Sequence, residues 1–426
     1  MTYLNEKVNA SALYIVVVMA LVIAILCAAM ISAAYFYRLQ SQVKSRSDAL
    51  RNNMKSGVNL LLANTDSTFA GGKTFSLFPA GEDSVFLRKK AWGVYHVGIS
   101  KAFVQQDTVY EIFLIANRVD SAKWSSLYLQ DEDRALSVSG NTSITGNAFL
   151  PKSGIRAAYV ANKAYTGNKQ FVSGHMYDSE AKLPVLDEKI LLHVKELIAP
   201  DAVENIPDMG KTIQNSFLRP ALKFDLKKEP VRLQNIHLSG NILLRSDTTI
   251  FIDSSAHLKN ILIYAPAVII GEGFSGSCQV FASDSISTGR NCHFSYPSVL
   301  GLVRFEGYAK KQQAIIRLGE NTRMDGLIFA YEKDPGELKP FIALNKSVTL
   351  CGQVYSPGNL SLQDSVKVYG NLTTKRFLYQ TDYSSYENYL INVQIGSTLL
   401  SPYYLSSPLM PTHAKTQKVL AWLESN

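Results

Sequence analysis

The sequence lacks the short motifs that mark many enzymes and metal sites. It contains no Gly-x-Ser-x-Gly, no phosphate-binding Gly-x-x-x-x-Gly-Lys-Ser/Thr and no Cys-x-x-Cys. Cysteine itself is scarce, and the three cysteines beyond the N-terminal apolar run cannot all pair; the four are Cys27, Cys278, Cys292 and Cys351. Free cysteines of this kind are usually small buried apolar residues. We therefore expect no catalytic residue, no cofactor and no metal ion.

The sequence also lacks the basic stripe that is typical of nucleic-acid binding. Lys and Arg number 43 against 35 Asp and Glu, a formal charge of +8, but the basic residues are scattered and mostly interleaved with acids. A composition of 46% hydrophobic and 18% charged residues is that of a folded protein. The length allows about two to three domains. We expect a folded chain without a nucleic-acid partner.

Charged residues are missing between Lys7 and Arg38. The segment from Ala10 to Tyr37 would span roughly 40 Å as a helix, whereas the hydrocarbon core of a bilayer needs only about 20 apolar residues. Residues 1–37 are therefore predicted to be a short tail and a transmembrane helix. A cleavable signal peptide ending near "SAA" is the alternative, although its apolar region would normally be shorter.

Proline is absent before Pro79, and a helical period continues beyond Arg38. Apolar side chains recur at spacings of three, four and seven, which places them on one face of a helix. They are Leu39, Val43, Leu50, Met54, Val58 and Leu61. This stripe predicts one continuous helix from about residue 10 to 63 and marks its outer half as an assembly helix. An independent coiled-coil stalk is the alternative for that half.

The N-terminal segment resembles that of a known family. A polar "KVNAS" leads into a long run rich in Ala, Val and Ile, which continues as an amphipathic helix into a β-rich domain. The pattern is similar to type IV pilin-like proteins, especially the minor pilins and tip pseudopilins of type IV pili and type II secretion. The resemblance implies a helix that lies in the inner membrane and packs into, or caps, a fibre of pilin-like subunits. The peptidase site of the family, Gly followed by Phe-Thr-Leu-Ile-Glu, is missing.

The charges around the span bear on its orientation. Five basic residues follow the span closely: Arg38, Lys44, Arg46, Arg51 and Lys55. The positive-inside rule would place the large domain in the cytoplasm, but pilin-like proteins often carry basic residues here and are still exported. We expect a single-pass inner-membrane protein with a periplasmic domain; a cytoplasm-facing scaffold is the alternative.

From Val85 the pattern changes to a period of two. "WGVYHVGIS", "TVYEIFLIANR" and "SSLYLQDEDR" are typical of antiparallel strands joined by short turns. Residues 38–135 are therefore predicted to combine the helix extension with a small α+β, pilin-like subdomain. Residues 136–230 are predicted to be a connecting region with one helix over 184–198, which Pro184 and Asp187 would start.

Residues 231–379 contain many short β runs with almost no helical period. Matching apolar residues recur at Ile261, Val280, Val299, Ile328 and Val354, with Gly, Asn, Ser and Asp between the runs. A recurring period with strands and tight turns is the signature of a stacked solenoid, in which each coil buries the apolar face of the next. We expect a single-stranded parallel β-helix, with a β-sandwich as the alternative. The repeat style resembles that of polymer-forming bactofilin-type solenoids.

A carbohydrate-cleaving β-helix is the enzymatic alternative. General acid/base chemistry on a glycosidic bond needs clustered carboxylates. The acidic residues of the predicted turns stand singly, and no Asp-Asp pair is visible; they are Asp253, Asp284, Asp325 and Asp364. Isolated aspartates at turns are usually structural, so we expect no hydrolase or lyase activity.

The C-terminal residues 380–426 are rich in tyrosine. A solenoid end needs a cap, and we expect this segment to supply one, followed by a short terminal helix in "THAKTQKVLAWLESN". An aromatic face that binds a glycan is the alternative. Its residues would be Tyr383, Tyr386, Tyr389, Tyr403 and Tyr404.

Together these patterns predict a mainly β protein with a long N-terminal α-helix: a transmembrane helix, a small α+β subdomain and a parallel β-helix. The predicted function is that of a non-enzymatic structural subunit of a bacterial envelope fibre, or of a secretion or pilus-like assembly. A membrane-anchored protein that binds or cleaves carbohydrate is the second hypothesis.

Overall fold

The computed structural model describes residues 10–77, 83–120, 124–199, 212–226, 229–306, 312–381, 383–411 and 416–425. The chain is mainly β, with one long apolar N-terminal helix and one short helix in the described part. The predicted N-terminal tail, residues 1–9, lies outside the described residues.

The first helix, α1, runs without a break over Ala10–Ala63, 54 residues. At about 1.5 Å per residue it is roughly 80 Å long. Its sequence contains no proline and a single glycine, Gly57, so nothing in it interrupts the helical hydrogen bonds. The helix ends where the main-chain N–H of Asn64 bonds to the carbonyl of Leu60, just before the polar turn that follows.

An antiparallel meander follows the helix. Its strands are β1 Lys73–Phe75, β2 Ser84–Trp92, β3 Tyr95–Val104 and β4 Asp107–Arg118. Two-residue turns join β2 to β3 and β3 to β4, and Gly93 and Gln105 adopt positive φ angles of 57° and 51° there. Because side chains alternate along a strand, the sheet presents one apolar face to α1 and the other to the rest of the protein.

The next strands are short and pair in parallel. They are β5 Ser125–Leu129, β6 Leu136–Ser139, β7 Ser143–Thr145, β8 Asn147–Leu150, β9 Ile155–Ala157, β10 Val172–Ser173 and β11 Met176–Asp178. β5 pairs with β8, and β8 pairs with β11, so each turn of chain lies on the previous one.

Helix α2 covers Glu188–Ile198. The carboxylate of Asp187 caps it by accepting a hydrogen bond of 3.0 Å from the N–H of Ile190. Its start lies four residues later than the predicted 184, because residues 184–186 are not helical and the cap residue Asp187 has an extended backbone. Ile190, Leu191 and Val194 form its buried face.

The longest series of parallel strands follows α2. It consists of β12 Thr212–Asn215, β13 Leu222–Asp225, β14 Val231–Leu233, β15 His237–Gly240, β16 Ile242–Arg245, β17 Thr249–Ile252, β18 His257–Ile270, β19 Ser275–Thr288, β20 His293–Arg304, β21 Ile315–Leu318, β22 Arg323–Glu332, β23 Phe341–Leu344, β24 Thr349–Leu362 and β25 Lys367–Gln380. We call these strands, with β5–β11, the parallel stack.

Strand register in the parallel stack places one inward apolar side chain above another, layer after layer. The column reads Phe224, Leu244, Ile263, Val280, Leu300, Ile328, Val354, Leu372, Leu127 and Ala148. All of them belong to one buried core. Three of the residues whose recurrence predicted the solenoid lie in this column: Val280, Ile328 and Val354. Val299 lies one position away from the column, and its side chain points to the outer side of the stack.

The order of layers in space differs from their order in the chain. The last long strand, β25, pairs in parallel with β5, which precedes it by more than two hundred residues; Leu372 lies opposite Leu127. Residues 124–178 therefore continue the parallel stack beyond β25 and are not a connecting region. The segment "SSLYLQDEDR" was predicted to be an antiparallel strand. This prediction is wrong, because β5 pairs in parallel with both of its partners, β25 and β8.

The C-terminal strands are β26 Ser385–Glu387, β27 Tyr389–Ile391, β28 Gln394–Gly396, β29 Leu405–Ser406 and β30 Gln417–Ser425. β27 and β28 add to the parallel stack by pairing with β6 and β7. β29 and β30 return to the antiparallel sheet and pair with β4. The predicted terminal helix is wrong, since this segment is strand β30; hydrogen bonds along the open edge of β4 outweigh a weak helical pattern.

Three apolar cores hold the layers together. One lies between α1 and the antiparallel sheet, one between that sheet and the outer side of the parallel stack, and one inside the parallel stack. The middle core joins Val97 and Ile112 of the sheet to Leu262 and Phe329 of the stack, with Leu191 of α2 at its side. The buried side chain of Gln279 adds polar links, because it accepts from the N–H of Val94 at 2.9 Å and donates to the carbonyl of Trp92 at 3.2 Å.

Candidate assembly helix

The N-terminal part of α1 stands free of the rest of the protein. Every side chain from residue 12 to 46 is exposed. It is the one helix in the described ranges that is long and apolar enough to cross a membrane, and none of its most apolar stretch is buried. An apolar helix that packs on nothing else in the chain exposes a surface that suits lipid.

The C-terminal part of α1 packs on the antiparallel sheet. Four residues of the predicted stripe are buried there: Leu50, Met54, Val58 and Leu61. Their neighbours in the same core come from β2, β3 and β4 and include Val85, Leu87, Phe113 and Ile115. Leu39 and Val43 remain 46% and 60% exposed. The predicted stripe is therefore divided: its last four residues contact the chain's own sheet, and its first two contact nothing in this chain's core.

Close contact between α1 and the sheet depends on two small residues. The hydroxyl of Ser100 on β3 donates a hydrogen bond of 2.8 Å to the helix carbonyl of Met54. A Cβ atom at Gly57 would clash with this hydroxyl and would lie 2.6 Å from the side chain of Leu87. The helix axis can therefore approach the sheet at this point only because residue 57 has no side chain.

A buried lysine binds the main-chain carbonyl groups at the C-terminal end of α1. The ammonium group of Lys89 on β2 donates to the carbonyls of Leu61 and Asn64 at 3.3 and 2.5 Å and to the side-chain oxygen of Gln417 at 2.5 Å. A cation suits the negative end of a helix. Burial nonetheless lowers the pKa of Lys89 to about 8, partly opposed by Asp66. This contact links the end of α1, β2 and the terminal strand β30.

His96 lies next to this lysine, on β3. Its Nδ1 atom is buried without a hydrogen-bond partner. Burial lowers its pKa to about 4, and the charges of Lys89 and His193 lower it further, whereas Asp187 raises it. A neutral imidazole with an unpaired nitrogen suits a packing role.

Two polar contacts lie along the flank of the docked helix. Arg46 forms an ion pair of 2.8 Å with Asp107, and Asn53 donates to Asp83 at 3.0 Å. Both partners of the ion pair are about half exposed, so it contributes little to stability. It lies where this turn of the helix passes the β3–β4 turn.

The tyrosines that were predicted as an aromatic face fall into separate environments. Tyr386 and Tyr389 are half-buried, with ring centroids 5.4 Å apart, and Tyr404 stacks on Trp124 at 5.7 Å on another part of the surface that includes Tyr296. Tyr383 and Tyr403 are 96% and 89% exposed. No ring contact among the described residues joins these groups into one face.

The turn aspartates each contact a cation. Asp253 pairs with Arg232, Asp284 with Arg304, Asp325 with Arg323 and Asp364 with Lys163, at 3.1 to 3.7 Å. Within the described ranges, no group of three or more His, Cys, Asp or Glu side chains is arranged to hold a metal ion. The contacts of these carboxylates are those of structural ion pairs.

Sequence reasoning missed Lys89, Ser100 and Gln417, which hold α1 in place. A signal was present for the first, because Lys89 has the same parity as Val85 and Leu87 in β2 and so shares their helix-facing side. A charged residue on an apolar face indicates a specific partner. Nothing local to Gln417 indicates its role, since that depends on the return of β30 to the sheet.

Comparison with known proteins gives a sparse result. No protein-family model matches the sequence, and no curated protein matches it. Among solved structures, the chain is similar to the crystal structure of the competence-associated pilin ComZ from Thermus thermophilus, with 9% sequence identity and a TM-score of 0.20 over 92% of this chain and 96% of that one. An overlap of that size does not establish a common fold.

Proposed function

We propose that this protein is a non-enzymatic structural subunit of a bacterial envelope fibre, or of a pilus-like or secretion assembly, anchored in the membrane by α1. One observation carries the proposal: a single unbroken helix is docked on an antiparallel sheet at its C-terminal end and is fully exposed and apolar at its N-terminal end. Such a helix is held rigidly by its own domain and can also pack against membrane lipid or against helices of neighbouring subunits.

The finer fold supports a role as a rigid body. We take the parallel stack to be a single-stranded parallel β-helix, because successive layers pair in parallel and share one inward apolar column. Stacked layers with a continuous core make a stiff rod. In this proposal the β-helix is attached to the antiparallel sheet and projects outward from the assembly, where its surface is exposed.

Orientation is the first test of the proposal. We expect the inner membrane as the location and the periplasm as the compartment of the large domain. The chain is fused at its C-terminus to a reporter that is active only outside the cytoplasm and, in a matched second fusion, to one that is active only inside. Activity of the outside reporter, with the chain in the membrane fraction, is the expected result. Activity confined to the inside reporter would support the cytoplasm-facing scaffold and end the fibre proposal.

Carbohydrate binding is the second candidate function. The predicted tyrosine face does not favour it, because those rings lie in separate environments.

A further inference from the structure

Tyrosines occur at two levels along the free part of α1. Tyr14 lies near its start, Tyr35 and Tyr37 lie near the end of the apolar run, and all three side chains are exposed. At about 1.5 Å per residue, the rise from Tyr14 to Tyr35 is roughly 32 Å, and the hydrocarbon core of a bilayer is about 30 Å thick. Tyrosine collects at both membrane–water interfaces. This spacing indicates that Tyr35 and Tyr37 mark the interface on the side of the antiparallel sheet.

Two exposed cations follow this interface closely. Arg38 comes directly after Tyr37, and Lys44 lies roughly 10 Å further along the helix axis. The headgroups occupy about 5 to 7 Å beyond the hydrocarbon core on each side. Side chains of a helix lean towards its N-terminus, which for Arg38 and Lys44 is the direction of the membrane. Both long side chains can therefore bring their charge to the level of the lipid phosphates.

The rest of the protein does not neutralise these two charges. No ion pair among the described residues includes Arg38 or Lys44. The next basic residue, Arg46, pairs instead with Asp107 at the β3–β4 turn. The first acidic residue of α1 is Asp48, about one turn beyond Lys44 and further from the membrane. The segment of α1 nearest the headgroups is therefore purely cationic.

Arg38 and Lys44 also lie away from the apolar stripe of the free helix. At about 100° per residue, each is about 120° from the direction shared by Leu39 and Val43, one on either flank. A neighbouring subunit that packs on this stripe leaves both cations free to contact lipid.

We propose that residues 38–44 of α1 bind the headgroup phosphates of anionic phospholipids. The inference rests on the membrane span of the proposed function, but not on which side of the membrane the large domain lies. Each Lys or Arg near an anionic surface adds a modest attraction, which is screened beyond about 8 to 10 Å at physiological salt. An acidic face of a neighbouring subunit is the competing partner. The lean of both side chains towards the membrane favours lipid.

The test measures which lipids surround α1. The full chain, in a Cys351→Ser background, carries a donor dye on Cys27, an exposed thiol roughly 15 Å below Tyr37. It is reconstituted into phosphatidylcholine vesicles. Energy transfer is compared for phosphatidylglycerol and phosphatidylcholine that carry the same acceptor in an acyl chain. We expect phosphatidylglycerol to be enriched about fivefold around α1, and less so at high salt.

Two matched pairs of substitutions identify the charges responsible. Arg38→Gln with Lys44→Gln should remove the enrichment. Arg51→Gln with Lys55→Gln should leave it unchanged, because these exposed residues lie roughly 20 Å or more above Tyr37, beyond the screening length. Arg38→Lys with Lys44→Arg conserves the charge and should retain the enrichment. Equal thermal midpoints exclude misfolding as the cause of any loss.

Three results would overturn the inference. The first is equal transfer to the two lipids, and the second is an equal loss of enrichment in the two Gln pairs. The third is that Arg38→Gln with Lys44→Gln lowers cross-linking between subunits but not lipid enrichment, since the cations would then bind a neighbouring chain. Transfer to neither lipid would contradict the membrane span itself. That outcome separates failure of the proposed function from failure of lipid selectivity alone.

Discussion

A column of three glycines sets how closely the layers of the parallel stack can approach. Gly326, Gly352 and Gly370 occupy one register position in consecutive layers, with φ angles of 149°, 152° and 149°. A Cβ atom on any of them would overlap the carbonyl oxygen of the layer before it. The position therefore excludes every side chain, both by its backbone conformation and by contact with its neighbour.

We expect Gly352→Ala to destabilise the protein by about 3 kcal/mol, because the added methyl group forces two layers apart in a close-packed core. The measurement is urea unfolding of the full chain followed by tryptophan fluorescence. Gly336→Ala is the control, since nothing lies within 4 Å of its Cβ position, and it should change stability by less than about 0.5 kcal/mol. Equal effects of the two substitutions would show that the column does not limit stacking.

His96 makes stability depend on pH. Its pKa is lowered to about 4 in the folded protein, whereas an unfolded histidine titrates near 6.5. As pH falls from about 6.5 to 4, the unfolded chain takes up a proton that the folded chain does not, so stability is lost across this window by up to about 3 kcal/mol.

Replacing His96→Gln should remove that part of the acid destabilisation. The thermal midpoint of wild type should fall more steeply than that of the variant between pH 6.5 and 4. His257→Gln is the control, because His257 is exposed, and its profile should follow that of wild type. Parallel profiles of wild type and His96→Gln would contradict the buried neutral imidazole.

At the scale of elements, α1 joins the sheet through a few side chains one or two turns apart. Leu61 is fully buried at the docked end, whereas Leu39 is 46% exposed. Leu61→Ala should cost about 3 kcal/mol, the usual penalty for a cavity in a core. Leu39→Ala, the same chemical change on the same helix, should cost less than about 0.5 kcal/mol.

Limited proteolysis with trypsin gives a second readout of helix docking. Arg51 lies in the docked part of α1, and cleavage there requires local release of the helix from the sheet. Faster cleavage of Leu61→Ala than of Leu39→Ala is expected. Equal cleavage rates would mean that the helix is not held by this contact.

Elements defined by local period could be predicted from the sequence. The unbroken α1 and the strands β2 to β4 follow from spacings of three to four and of two. The terminal strand β30 could not, because its apolar residues Val419, Leu420, Trp422 and Leu423 fit a helix face as well as a strand. Its two register shifts against β4 accommodate that spacing. The free edge of β4, a feature of the folded sheet, decides the outcome.

At the scale of the whole molecule, pairing between strands far apart in the chain determines the order of the layers, which local sequence patterns do not predict. The repeat between Val280, Ile328 and Val354 indicates stacked layers, since all three lie in one column of the parallel stack. Leu127 joins the same column from 245 residues before Leu372, and no local pattern specifies that meeting. Likewise the stripe on α1 was predicted as one surface, and only the position of the sheet divides it after Val43.

Both ends of the described chain meet at the antiparallel sheet. α1 packs on the antiparallel sheet, β30 completes that sheet, and Lys89 bonds to both the helix end and Gln417. Helix α1 is therefore fixed to the antiparallel sheet by an apolar core and a buried cation. In the proposed assembly, a connection of this kind would transmit the position of α1 to the parallel stack.

Cysteine cross-linking at Val43 tests the central claim, that the free part of α1 packs against neighbouring subunits, most directly. The background is Cys27→Ser, which removes the exposed native thiol on the helix. Mild oxidation in the cells that produce the protein should convert Val43→Cys into cross-linked species of higher mass. Tyr383→Cys, which is more exposed but lies outside α1, should stay uncross-linked. A monomeric Val43→Cys, or equal cross-linking of the two variants, would contradict an assembly role for this helix.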